Sequence, residues 1–311
     1  MPQTPGWHDR RRDLARVRSE HATSTPGSTG IRERTVAIAL PGTLDELYTP
    51  DVPWAFRSFS EVIGGEIRTY FLQLDPVVFP RGRTTTVRWN NAVFGPAMAS
   101  SRLGAASFRR GDLLWFQQAL VSDQGQGRWG MVPLPGKTQL LRDGEVIGES
   151  DTAGEGVFEV GPERAVYTMR TTADRSDYSR LSTKFDIEWT FASQRSEDPT
   201  SSPELGMLGV RYAPKLDDHN ATLRGKRFTI PFSGERNGSD DPAQVSNPTV
   251  EVSYDDGRTW KPTTVKRHRG QWTATVDHPA DAEFVSLRSS VSDTDGNSQR
   301  QTIIRAYALK K

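Results

Sequence analysis

The 311 residues suffice for two domains of ordinary size, and a net charge of +1 from 40 basic and 39 acidic residues offers no strong field for nucleic acid or an anionic membrane. The lack of cysteine removes disulfides, thiolate metal sites and cysteine nucleophiles together. A hydrophobic share of 34%, with 27 Gly and 20 Pro, favours turn-rich antiparallel sheets with one wet face over a doubly wound parallel sheet, and no apolar run reaches the ~18 residues of a membrane span.

Residues 1–34 are rich in Ser, Thr, Pro and Gly and carry seven Arg against four acids. So little apolar surface predicts a disordered, Arg-rich tail. Its basic stretch, from Arg10-Arg11-Arg12 to Arg18, is not followed by an apolar segment and does not read as a secretory signal. From residue 35 to 195 the hydrophobic period is mostly two, which predicts an all-β domain. Phe185, Ile187, Trp189 and Phe191 form an apolar stripe opposite Lys184, Asp186, Glu188 and Thr190, the pattern of a half-buried strand. Ile67, Thr69, Phe71 and Gln73 alternate in a second strand. Asp143-Gly144 supplies a hairpin tip between Leu140-Leu141 and Val146-Ile147. The one helical stretch expected lies at 54–62.

Residues 196–204 read as a linker, with Asp, Ser and two prolines that break regular structure. Beyond it, residues 205–311 hold short strands at regular spacing: Phe228, Ile230 and Phe232, then Val250 and Val252, then Trp272, Ala274 and Val276. This predicts a second antiparallel β-sandwich, immunoglobulin- or fibronectin-like. Trp260, Trp272 and Tyr254 are its expected core anchors.

Residues 253–260, Ser-Tyr-Asp-Asp-Gly-Arg-Thr-Trp, fit the Asp-box pattern S-x-D-x-G-x-T-W in full. Each fixed position has a physical task. Asp256-Gly257 can take the positive-φ turn. Asp255 can accept from turn amides beside the Ser253 and Thr259 hydroxyls, and Trp260 can fold back over them. Ser253, Asp255, Gly257, Thr259 and Trp260 are therefore structural candidates. A sialidase-like propeller needs several such boxes, and this is the single full match.

Chemistry-bearing constellations are sparse. The five histidines are His8 and His21 in the expected tail, His219 and His268 in polar contexts, and His278, expected as a solvated strand-end residue. Gly95-Pro96-Ala97-Met98-Ala99 echoes a subtilase nucleophile motif, with Ala97 where the serine would stand. Asp293, Asp295 and Asn297 are the best candidates for calcium, although they lack EF-hand spacing and an Asp-Gly-Asn segment more often makes a turn. Trp129 and Tyr48 are aromatic candidates for glycan stacking, weighed against a buried role.

The ordered set 250–260, His278-Pro279, Phe284-Val285-Ser286-Leu287-Arg288, Asp293-x-Asp295-Gly296-Asn297 and Gln301-Thr302-Ile303-Ile304-Arg305-Ala306-Tyr307 resembles the carboxy-terminal end of large secreted actinobacterial subtilisin-like serine peptidases. Trp89-Asn90-x-Ala92-Val93-Phe94-Gly95-Pro96 and Val210-Arg211-Tyr212-Ala213-Pro214 extend the resemblance to about residues 35–311. It implies a non-catalytic, extracellular accessory region that docks, spaces or stabilises. Its partner would be a peptidase catalytic domain or an extracellular polymer. No catalytic residue of that family transfers to a position here. The alternatives are a free-standing carbohydrate- or surface-binding module and, third, an independent hydrolase.

Overall fold

The computed structural model describes residues 13–100, 106–130, 132–268 and 270–311. Every regular element among them is a β-strand, and the sheets are predominantly antiparallel. The strand Lys184–Ser193 buries Phe185, Ile187, Trp189 and Phe191 and turns its charged positions outward, as the alternation predicts. Asp143 and Gly144 take φ of 54° and 83° at the tip joining Gly136–Arg142 to Glu145–Ser150.

The first surprise is the amino-terminal segment. Residues 1–12 lie outside the described residues, but from Ala15 the expected tail is ordered. Ala15–His21 is the middle strand of a three-stranded sheet, antiparallel to Gly42–Tyr48 and parallel to Thr84–Trp89. Thr29–Arg32 pairs with Val36–Ala39 and Arg57–Ile63. The inward positions of the first strand are Ala15, Val17, Ser19 and His21. Only one of these is a sizeable aliphatic residue, so the alternation was present while the hydrophobicity was not.

The expected helix at 54–62 is also overturned. Pro53–Trp54 and Arg57–Ile63 are strands. Arg57 donates to the Tyr48 hydroxyl at 3.0 Å, and Glu61 accepts from Thr23 and Ser28 at 2.7 and 2.9 Å. Buried polar residues with partners of their own hid the strand period.

The division into two domains at 196–204 does not survive either. One nine-stranded sheet runs through both halves: Lys184–Ser193 pairs with Ser298–Lys310, which pairs with Phe284–Ser292, and that with Ser246–Ser253. A second sheet, Leu208–Tyr212, Arg227–Arg236, Gln271–Asp277 and Thr264–His268, covers the carboxy-terminal part. One apolar core extends from Phe59 to Leu309, and a smaller, separate cluster gathers Ala15, Val17, Tyr48 and Phe79. Residues 196–203 cross the surface, where the Pro203 carbonyl accepts from the Arg109 amide at 2.8 Å. Their polar, Pro-flanked composition marks a surface crossing, not a boundary.

Candidate functional site

A cleft of about 310 Å³ opens where the two halves meet. One wall comes from Arg128–Gly130, which pairs with Glu66–Gln73 and places Trp129 opposite Leu72. The turn before it is held by Asp123, whose Oδ1 accepts from the Gly125 amide at 2.9 Å and whose Oδ2 accepts from the Asn90 amide at 2.9 Å and from Arg128 Nη1 at 2.6 Å. Gly127 sits at φ 67°, and a side chain there would collide with the Asp75 carboxylate. Glycine is what lets Asp75 approach this turn.

The opposite wall comes from the second sheet. Arg211, on Leu208–Tyr212, forms a two-pronged pair with Glu235 on the neighbouring strand and donates across the cleft floor to the Asp123 carbonyl at 2.6 Å. Burial opposes the charge on Arg211, yet the Glu235 carboxylate together with Asp123 and Asp75 outweighs it and holds the guanidinium pKa above its ordinary value. Phe232 lies beneath, stacked on Trp272 with centroids 6.3 Å apart. Asp240 and Asp241 form the rim. Ser100, 8% exposed, lines the interior with a hydroxyl that has no hydrogen-bond partner, and Asp75 Oδ1 has none either. The arrangement offers a half-buried indole, carboxylate acceptors and an apolar floor. That chemistry suits holding a ligand.

Sequence reasoning singled out Trp129 and missed Asp75, Arg211 and Glu235. Arg211 and Asp123 lie far apart in sequence and share no motif, so no spacing signal existed. Tyr48, the other aromatic candidate, is buried, with its hydroxyl bonded to Arg32, Arg57 and Glu46.

The 253–260 hairpin lies at the edge of the nine-stranded sheet, away from the cleft lining. Asp256 and Gly257 take φ of 56° and 85°. The Ser253 hydroxyl donates to Asp255 at 2.7 Å and accepts from the Gly257 amide at 2.9 Å. Asp255 also accepts from the Thr259 amide and hydroxyl at 2.9 and 2.6 Å, and these bonds hold its carboxyl well below the usual range. Trp260 Nε1 donates to the Gly257 carbonyl at 2.9 Å, and the guanidinium of Arg288 lies 4.5 Å from the indole centroid. Of the expected core anchors, Tyr254 and Trp272 are half-buried and pack against the apolar core, while Trp260 is half-buried over the hairpin.

Asp293 closes the turn that includes Asp295 and Asn297. Its Oδ1 accepts from both of their amides at 2.9 Å, and its Oδ2 from Asn297 Nδ2 at 2.9 Å and from Arg236 at 2.6 Å. Both oxygens are engaged by protein donors, and no group of metal-ligating side chains assembles among the described residues.

His278 is not solvated. It is buried between Tyr254, whose hydroxyl is 3.2 Å from Nδ1, and Tyr307, whose hydroxyl is 3.4 Å from Nε2. Burial lowers its pKa from 6.5 to about 4, against the opposing pull of Asp277. The folded protein thus prefers neutral His278, while the unfolded chain takes up a proton from about pH 6.5 downward. The stabilisation is complete above that pH and is lost as the pH falls toward 4, by about 2 kcal/mol. Urea unfolding at about pH 7 and about pH 4.5 should show this slope reduced in His278→Phe. An unchanged slope in that variant would refute the assignment.

Comparisons with known protein families and with curated proteins find no match for this chain.

Proposed function

We propose that the chain is a non-catalytic accessory module of the kind found at the carboxy-terminal end of secreted subtilisin-like serine peptidases, working outside the cell by holding a partner in the cleft between its halves. The cleft carries this reading: a half-buried tryptophan, polar side chains with unused bonding capacity and two walls joined by Arg211. Two features support the finer fold assignment. The sheet containing Arg227–Arg236 and Gln271–Asp277 shares its core with the strands Ser246–Ser253, Phe284–Ser292 and Ser298–Lys310, as in an immunoglobulin-like sandwich. The bonds around Asp255 are those that an Asp-box hairpin needs.

The test uses the purified full chain. It should be retained on an extracellular protein or polysaccharide matrix, lose at least about tenfold in affinity as Trp129→Ala, and leave casein intact. Casein hydrolysis sensitive to a serine-directed reagent would replace this reading with the hydrolase.

One observation favours the free-standing carbohydrate-binding alternative. On the outer face of the sheet formed by Phe108–Arg110, Leu113–Gln117 and Glu155–Glu159, Trp115 is 42% exposed, with Phe108 and Val157 on either side. The Phe108 and Trp115 rings are within 10° of parallel, with centroids 5.9 Å apart. Glycan retention that depends on Trp115 and not on Trp129 would favour this second reading.

A further inference from the structure

We propose that the amino-terminal sheet is an acid-released latch: protonation of His21 frees Ala15–His21 from Thr84–Trp89 while the nine-stranded sheet stays folded. The device is independent of what the cleft holds. It begins with a strand that buries little. Ala15 and Val17 join Tyr48 and Phe79 in the small apolar cluster, and the other two inward positions are Ser19 and His21. A segment with few buried apolar contacts opens at a lower free energy than the core beside it.

His21 is 1% exposed and pairs with Trp89 across the parallel strands, with its ring 5.0 Å from that of Phe59. Neither ring nitrogen has a hydrogen-bond partner among the described residues. Three guanidiniums gather at the same indole, those of Arg32, Arg57 and Arg128 at 4.6, 5.6 and 3.7 Å from its centroid. The carboxylates that face this group have donors of their own. Glu46 is held by Arg32, Arg57, Ser19 and the Tyr48 hydroxyl, and Asp123 by Arg128 and the Asn90 amide. Glu61, two residues beyond Phe59, accepts from Thr23 and Ser28, and Glu33 at the rim is taken by Arg32 and the Ser58 amide. None of them is bonded to His21.

A neutral imidazole is tolerated in this place. An imidazolium would sit beside three guanidiniums, shut off from water and with no carboxylate bonded to either N–H. Burial first, then Arg32 and Arg128, lower the His21 pKa from 6.5 to about 4, against the opposing pull of Glu46 and the Gly42 backbone. An opened strand therefore takes up a proton below pH 6.5, and the closed one only near pH 4. The closed form is fully favoured above pH 6.5 and loses ground as the pH falls toward 4. Those two values raise the opening equilibrium about 50-fold between about pH 7 and about pH 4.5.

Because the chain has no cysteine, one introduced thiol is a clean reporter. Val17 is 1% exposed on the strand in question, and Val250 is 2% exposed within the nine-stranded sheet. The full-length variants Val17→Cys and Val250→Cys are labelled with dilute dithiodipyridine, so that the rate follows the opening equilibrium, and each rate is normalised to glutathione at the same pH. Labelling of Val17→Cys should rise about 50-fold from about pH 7 to about pH 4.5, while Val250→Cys stays slow at both. Adding His21→Gln, which carries no charge at either pH, should hold the rise below about fivefold, and His21→Phe should do the same. Amide exchange of residues 15–21 in the unsubstituted chain, corrected for its intrinsic pH dependence, should rise by the same factor and keeps the test valid where a variant folds poorly. A rise that survives both His21 substitutions overturns the proposal. Labelling of Val250→Cys in step with Val17→Cys also overturns it, because the whole fold is then lost, as protonation of His278 would cause. No rise at Val17→Cys or in the exchange of residues 15–21 means that the strand stays closed, and it rejects the latch.

Discussion

Trp189→Ala lowers the free energy of unfolding by about 3–5 kcal/mol, the usual cost of truncating a fully buried aromatic side chain. The indole packs against Phe116 with centroids 5.5 Å apart, and its Nε1 donates to the Leu208 carbonyl at 2.9 Å. That bond ties Lys184–Ser193 to the first strand of the carboxy-terminal sheet, so the substitution acts on both halves. It removes the ring and leaves a buried carbonyl without its donor. Trp189→Phe keeps most of the packing and should cost about 1–3 kcal/mol, mostly from that carbonyl. Because one sheet and one core run through both halves, urea unfolding followed by circular dichroism and by fluorescence should give coincident transitions that shift together. Two separated transitions, only one of them moved by the substitution, would contradict a shared core.

How much of this was legible beforehand depended on how local each signal was. The alternation of Phe185 to Phe191 and the Asp143-Gly144 turn each lie within a few residues, and both were read correctly. The positive-φ turn at Asp256-Gly257 belongs with them. Failures arose where partners are distant. Ser19 and His21 are polar or titratable, and they are inside because Gly42–Tyr48 and Thr84–Trp89 flank their strand. The pairing of Lys184 with Ile304 joins segments on either side of the supposed linker, and no local pattern announces it. His278 follows a strand and precedes a proline, which suggests exposure, yet Tyr254 and Tyr307 enclose it from two other strands. Of the cleft, the sequence disclosed one aromatic residue. Its carboxylates and guanidiniums look like ordinary surface charges until the two walls meet.

The second large effect is expected at Arg128. Its guanidinium lies 3.7 Å from the Trp89 ring centroid and donates to Gln73 Oε1 at 3.2 Å, to the Arg88 carbonyl at 2.7 Å and to Asp123 at 2.6 Å. Arg32 and Arg57 approach the same indole at 4.6 and 5.6 Å, so Asp123 is the carboxylate that offsets Arg128 within a cationic cluster. Arg128→Met keeps an apolar stem over Trp89 but strands a fully buried carboxylate, and removing one partner of such a pair costs about 3–5 kcal/mol. Arg128→Lys should also be costly, because one ammonium on a flexible stem cannot reproduce the planar fork that reaches three acceptors. Removing the charge at both ends is different. In Arg128→Met/Asp123→Asn the amide oxygen can still accept from one of the Asn90 and Gly125 amides, which reach different oxygens of Asp123, and no ion is left buried. The double variant should therefore recover at least about half of the loss seen in Arg128→Met, a coupling measurable by denaturant unfolding of the four proteins in the cycle. A double variant no more stable than the single one would show that Arg128 acts through its packing on Trp89 and its bond to the Arg88 carbonyl, with Asp123 as a bystander.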